Sequence, residues 1–289
     1  MARLWFGNRR LMQWVKPYKA EASYDTDRYE SMSTYLSGGL GLDASLDGHA
    51  RRTLEWAMTN ARELAFIWDY ARGRYGDELV YWHDPMYSPE NALNPAWSMP
   101  WLATRDAIPL VDERRPVLQT NSDFSFKYPA HGAEYTVMKT DTPRTVLVPI
   151  PPGHTAHVGI HGDSRANGRV KVTPYEGMVA GAKVNPTVLG VNTSTRVNEA
   201  FVGGAQSWIE LSLDLASIPD GETDSFTLWA MIVQVLRTGQ TPEPGDFITG
   251  HGSSGYEFLS IPPEVPNSAH PRLFNTTYTV VLGETGAWL

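Results

Sequence analysis

Apolar positions in this chain recur mostly at every second residue. In "HARRTLEWAM", Leu54, Trp56 and Met58 share one face while Thr53, Glu55 and Ala57 share the other, which predicts a strand. The upstream "RYESMSTYLSGG" has the same character, and "GGLGLDASLDG" between them reads as a turn-rich connector. One segment changes period. In "TNARELAFIWDYARGRYG", Ala61, Leu64, Ala65, Trp68 and Ala71 fall at helical spacing, Asn60 stands at the N-cap with Glu63 at N3, and Gly73 or Gly76 can end the run. A single amphipathic helix is therefore predicted near residues 61–72. "DELVYWHDP" returns to strand character and closes at Pro85, and the prolines of "SPENALNPAWSMPW" make it read as extended loop.

Pro129 and Gly132 in "SFKYPAHGAEY" suggest a domain boundary, giving an N-terminal domain over residues 1–128 and a C-terminal one over 129–289. Beyond the boundary the pattern is strands throughout: "RTVLVPI", "GRVKVTPY", "SWIELSLDL", "SFTLWAMIVQVL" and "NTTYTVVLG", separated by clusters of turn formers. In "SWIELSLDL", Ile209, Leu211, Leu213 and Leu215 lie opposite Glu210, Ser212 and Asp214, which predicts a strand with one wet face. In "FTLWAMIVQVL" both faces are apolar, which predicts a central strand covered on both sides. The expected fold is mainly β: a strand-rich first domain with one helix, then a β-sandwich or jelly roll.

Composition narrows the function. The chain has 289 residues, with 24 Lys and Arg against 32 Asp and Glu and a formal charge of -8. Such a balance lacks the concentrated basic face that phosphate neutralisation requires, so nucleic acid is not an expected ligand. Cysteine is absent, which excludes disulfides, thiolate nucleophiles and Cys-ligated metals. No apolar stretch approaches a secretion signal or a bilayer span, so a soluble protein made without an export signal is expected.

Four groups of residues carry candidate chemistry. "HTAHVGIHGD" places His157, His161 and Asp163 at one strand parity, as a metal site without cysteine would need. The two imidazoles, however, lie about 13 Å apart along a strand, so solvent-facing residues around a hairpin are the better reading and no metal or cofactor is expected. "GHGSSGYE" fails the spacing of a nucleophile elbow and reads as a flexible loop. Asp77, Glu78 and Asp84 supply acids, but neighbours along a strand point to opposite faces and do not make a glycosidase pair. Trp208, Trp229 and Tyr256 offer aromatic faces on which sugar rings can stack.

The stretch "FGNRRLMQWV", followed by strands, a helix and then "FIWDYARGRYGDELVYWHDPMYSPENALNPAWSMPWLA", resembles the minor tail proteins encoded after the tape measure in long-tailed phages of actinobacteria, in particular those regarded as distal tail proteins. What is shared is an aromatic and Arg-Gly run reaching Tyr75 to Asp77, a strand over Leu79 to Trp82, a turn over Asp84 to Met86, and a loop with Asn91, Leu93, Pro95 and Trp97. The likeness covers mainly residues 1–128. It implies an N-terminal belt domain of β-barrel type related to tail-tube folds, and a C-terminal sandwich similar to galectins and carbohydrate-binding modules. It also implies a non-enzymatic role at the tip of the virion tail: a homohexameric ring, made in the host cytoplasm, that joins the tail tube to the baseplate hub and forms part of the DNA conduit. The implied partners are the tail tube protein, the tape measure protein, hub proteins and host cell-wall glycan, with no membrane insertion. A closed ring needs a heterologous contact, and Tyr81, Trp82, Asp84, Pro85, Met86, Trp97, Met99 and Trp101 are the apolar and turn residues expected to supply it. The rival expectations are a glycan-binding receptor module and, after it, a glycan-cleaving enzyme.

Overall fold

A computed structural model describes residues 4–15, 23–27, 30–34, 40–44, 49–56, 61–76, 79–83, 85, 88–101, 110–112, 114–120, 131–163, 165–166, 169–176, 182–183, 187–188, 197–202, 207–242, 248–250, 252, 255–260 and 278–284. The protein is mainly β, built of antiparallel sheets. In chain order come β1 (Leu4–Gly7), β2 (Met12–Val15), β3 (Ser23–Asp27), β4 (Glu30–Thr34), β5 (Leu40–Ala44) and β6 (His49–Trp56). Helix α1 (Ala61–Ala71), strand β7 (Tyr81–His83) and the short helices α2 (Ser88–Asn91) and α3 (Pro95–Ser98) follow. The remaining strands are β8 (Val117–Thr120), β9 (His131–Met138), β10 (Thr145–Ile150), β11 (His154–Gly162), β12 (Val170–Glu176), β13 (Ala182–Lys183), β14 (Thr187–Val188), β15 (Val197–Val202), β16 (Ser207–Leu213), β17 (Thr223–Arg237), β18 (Tyr256–Phe258) and β19 (Tyr278–Glu284). Among the described residues no helix is long and apolar enough to cross a membrane.

Two compact units divide the chain, and both are discontinuous. The first comprises Met1–Leu4, Trp14–Val80 and Gly255–Leu289; the second comprises Trp5–Gln13 and Tyr81–Ser254. The units therefore do not part between residues 128 and 129. Strand β8 and helices α2 and α3 belong to the second unit, and β19, expected in a C-terminal sandwich, belongs to the first. Alternation in "NTTYTVVLG" correctly marks a strand, but periodicity carries no information about which strand it pairs with.

In the first unit the sheet order is β18-β19-β6-β3. Val280 lies opposite Leu54 in the β19–β6 register, and Leu54, Val280 and Leu282 are all buried. Strands β4 and β5 form a separate ribbon with Met32 opposite Leu42, so "GGLGLDASLDG" holds a strand where a connector was expected. Its glycines hide the alternation of Leu40 and Leu42. Helix α1 starts and ends as predicted. It buries Ile67 and Tyr70 while Ala65 and Phe66 stay exposed, so its inward stripe follows the bulky residues three apart and not the alanines. After it Gly73, at φ 66°, donates its N–H to the Tyr70 carbonyl and stops the helix. Asn60 lies outside the described residues.

The second unit is a β-sandwich. One sheet runs β10-β16-β12-β13, with β14 also beside β12; the other runs β15-β11-β17-β9-β8. Followed along the chain, β9, β11, β15 and β17 fall in one sheet and β10, β12, β13 and β16 in the other, which is the winding of a jelly roll. Each sheet turns alternate residues inward. Val146 and Val148 of β10, with Ile209 and Leu211 of β16, join one core with Tyr135 of β9, Val158 of β11 and Phe226 of β17. β17 is central, as its two apolar faces predicted. The face of β16 expected to be wet is not: Trp208 and Ser212 are buried.

Candidate functional site

The segment after β7 closes an open edge. β9 pairs with β17 only over Thr223–Leu228, and among the described residues no strand pairs with the rest of that side of β17. Asn91 fills the place. Its Oδ1 accepts from Val233 N at 3.1 Å, its Nδ2 donates to Met231 O at 3.3 Å and to Ile248 O at 2.8 Å, and Ala92 N donates to Val233 O at 2.8 Å. One side chain thereby imitates the backbone of a missing strand. Helix α3 then turns on Asn94, whose Oδ1 accepts from Trp97 N, with Pro95 at the first helical position where its missing N–H costs nothing. This is why "SPENALNPAWSMPW" forms two short helices and not extended loop. Leu93 and Trp97 enter the sandwich core.

Residues 248–252 lie over this closure. Gly250 N donates to Ser98 Oγ at 2.8 Å and Gly252 N to Leu93 O at 2.9 Å. A Cβ on Gly250 would stand 1.9 Å from Leu93 O, and one on Gly252 1.8 Å from Ala92 O. Gly250 and Gly252 of "GHGSSGYE" therefore serve backbone-to-backbone packing and not loop flexibility.

These contacts revise the expected interface. Tyr81, Trp82, Trp97 and Met99 are buried within their own chain and leave little surface for a partner. Trp101 is half-buried, its ring 5.5 Å from that of His131, and Pro85 is exposed. Asp84 and Met86 lie outside the described residues. β7 pairs with β1 (Phe6 opposite Trp82) and carries Tyr81 to the outer face of β16, where its ring meets Trp208 edge-on at 5.3 Å. The same covered face holds Tyr175, whose hydroxyl donates to Glu210 Oε2 at 2.8 Å, with Arg9 at 4.0 Å from that oxygen. Burial, then the Glu210 carboxylate, pushes the Tyr175 phenol up to about 12. Trp208 is thus removed as a sugar-stacking residue, because β7 occupies the place. Tyr256 is removed too: it lies in β18 and not in a loop, and is buried.

Among the described residues no three His, Asp or Glu gather as a metal would need. His157 and His161 sit on the outer face of β11, opposite Gln234 and Ala230. His161 is buried, contrary to the solvent-facing reading, and burial pushes its imidazole down to about 4. Asp163 is engaged as a turn cap, accepting from Arg165 N, Ala166 N and Thr227 N, so it is not available as a ligand. Elsewhere His83 packs 5.1 Å from His154; burial and then the charge of His154 push it down to about 3.

Of the three aromatic candidates Trp229 keeps an accessible part. Along β17 the register passes from His161 opposite Ala230 to Gly162 opposite Leu228, leaving Trp229 as the extra residue of a bulge on the sheet's outer face. Its indole lies over Gly132, where an added Cβ would come within 2.5 Å of the ring. Gln119, opposite Gly132, donates Nε2 to Glu134 Oε2. In the sequence Gly132 reads as a boundary marker and Gln119 and Glu134 carry no signal of pairing; "HGAE" shows no sign of the ring that settles above it.

No family model matches the chain, and no curated protein matches it significantly. Among solved structures, the VP2 subviral particle of infectious bursal disease virus superposes with a TM-score of 0.25 at 10% identity, over 98% of this chain and 72% of the other. The infectious bursal disease virus Gt strain gives 0.24 at 12% identity, over 98% and 75%. A secreted serine protease of Vibrio cholerae, VesC, gives 0.20 at 8% identity, over 80% and 47%. Superpositions at these scores set neither the fold nor the function of this chain.

Proposed function

We propose that this chain is a structural protein of a long-tailed phage virion, of the distal tail type, that acts by assembly and without covalent chemistry. One observation carries the reading: residues on which the resemblance rests are architectural. Asn91 closes the edge of β17, Pro95 opens α3, and Leu93 and Trp97 enter the core. A motif whose polar members bond to backbone and whose apolar members fill a core preserves a shape, and shape is what a ring component supplies. In this role the protein forms a closed homohexamer at the tail tip, made in the host cytoplasm. It bears on the tail tube protein, the tape measure protein and hub proteins, and lines part of the DNA conduit. The negative net charge suits a lumen through which phosphate must slide without sticking. Its subunit contacts use surfaces other than Tyr81, Trp82, Trp97 and Met99.

The test is native mass across a concentration series, with electron images of the largest species, alone and with purified tail tube protein. Closed six-membered rings are expected in at least one condition. A strict monomer in both conditions refutes the assignment.

A further inference from the structure

The outer face of the β15-β11-β17-β9-β8 sheet carries an aromatic ring and polar pairs in line. Regular alternation along β17 places Met231, Val233 and Val235 in the core, and the bulge frees Trp229 from that pattern. Bulges re-aim a side chain. Here the re-aimed ring rests on Gly132, where any larger residue would displace it, and it stays half-buried. His161 stands beside it, ring centroids 6.5 Å apart.

Polar pairs continue along the same face. Gln119 bonds to Glu134, which lies in register between Val117 and Thr227. Beyond them Thr136 Oγ1 and Ser225 Oγ are 2.9 Å apart. At ~3.3 Å per residue, Glu134 and Thr136 stand about 7 and 13 Å along β9 from Gly132. An aromatic plate is thus followed in line by an amide–carboxylate pair and a hydroxyl pair.

Each neighbour constrains the ligand. An apolar peptide or lipid would bury the Glu134 carboxylate and leave the second Gln119 N–H and the spare lone pairs of both pairs unmet, at a cost of a few kcal/mol. A phosphate-bearing chain would meet Glu134 on a protein already negative overall. A sugar satisfies every group, since its C–H face fits an indole and its hydroxyls both donate and accept, as the amide, carboxylate and hydroxyls require. We infer that this face is a carbohydrate-binding site, taking a neutral glycan along β9 with one ring stacked on Trp229 and the following rings bonded by Gln119–Glu134 and Thr136–Ser225. The site lies within a single chain, so it stands or falls separately from ring formation.

The experiment is calorimetric titration of the full chain with soluble oligosaccharides of glucose, galactose, arabinose and N-acetylglucosamine. At least one binds with a dissociation constant of about 1 mM or tighter, and Trp229→Ala weakens it at least tenfold. Because removing the indole opens a gap over Gly132, a second variant, Gln119→Ala with Glu134→Ala, is made at positions outside the core; it weakens the same sugar with an unchanged melting temperature. Absence of binding by the unmodified chain to every sugar overturns the inference, as does undiminished binding by either variant in its folded form.

Discussion

Gly250 and Gly252 sit where two stretches of backbone touch, with carbonyls under 2 Å from where a Cβ would be. Backbone cannot swing aside as the end of a flexible side chain can, so Gly252→Ala is expected to cost about 2–4 kcal/mol. Urea denaturation reads this directly, and a loss below about 0.5 kcal/mol would mean that the segment over Ala92 is not held. A second residue-scale prediction concerns acid. His83 and His161 titrate at about 3 and about 4 when folded, against 6.5 as the ordinary value. The unfolded chain then takes up protons that the folded chain refuses, so stability is full above pH 6.5 and falls as pH drops toward those values. Asp141 follows in a lower window. Burial alone would raise its carboxyl, but hydrogen bonds from Arg114 and Met138 N and the Arg114 charge hold it below 3.8, so its contribution is lost as pH falls through that range. Replacing His83 by Gln should flatten the slope of the urea midpoint between pH 6.5 and 4; an unchanged slope would place the titration elsewhere.

At the scale of elements, the closure of β17 depends on one side chain. Asn91→Leu keeps the branching at Cγ but leaves Val233 N, Met231 O and Ile248 O without their bonds, at about 1–3 kcal/mol for each buried group left unsatisfied. A drop of about 3 kcal/mol or more is expected, with amide exchange at Val233 accelerating ahead of its neighbours. Uniform acceleration across β17 would argue that Asn91 stabilises the whole sheet and not its edge. Strands were legible in sequence where apolar residues alternate, as in β6 and β16, or fill both faces, as in β17, and so was α1, because period and length both favoured it. β5 was not, since its glycines broke the apolar count. α2 and α3 were not, since four-residue helices have no period to detect and their prolines argue for loop until seen at first-turn positions. Of the site, the presence of Trp229 was legible but its surroundings were not. The bulge that frees it and the glycine beneath it are consequences of pairing, and so is the burial of Trp208 under Tyr81 from far upstream.

At the scale of the molecule, the expected break at 128/129 would cut through contacts that hold the sandwich. A fragment of residues 129–289 lacks Asn91, Leu93 and Trp97, and it carries β19 without the β6 to which β19 pairs. It should aggregate or bind hydrophobic dye, whereas the full chain melts cooperatively. A monomeric fragment with a sharp transition would show that the closure is dispensable.

The return of β19 to β6 also sets an order in time. Synthesis proceeds at ~5–20 residues per second, so β6 leaves the ribosome on the order of ten seconds or more before its neighbour exists. The jelly roll lies wholly within that interval and has every strand it needs by Arg237. Nascent chains stalled short of Tyr278 should therefore resist protease in the second unit while β6 is cut, because the strand that completes the β6 sheet is made after the whole jelly roll.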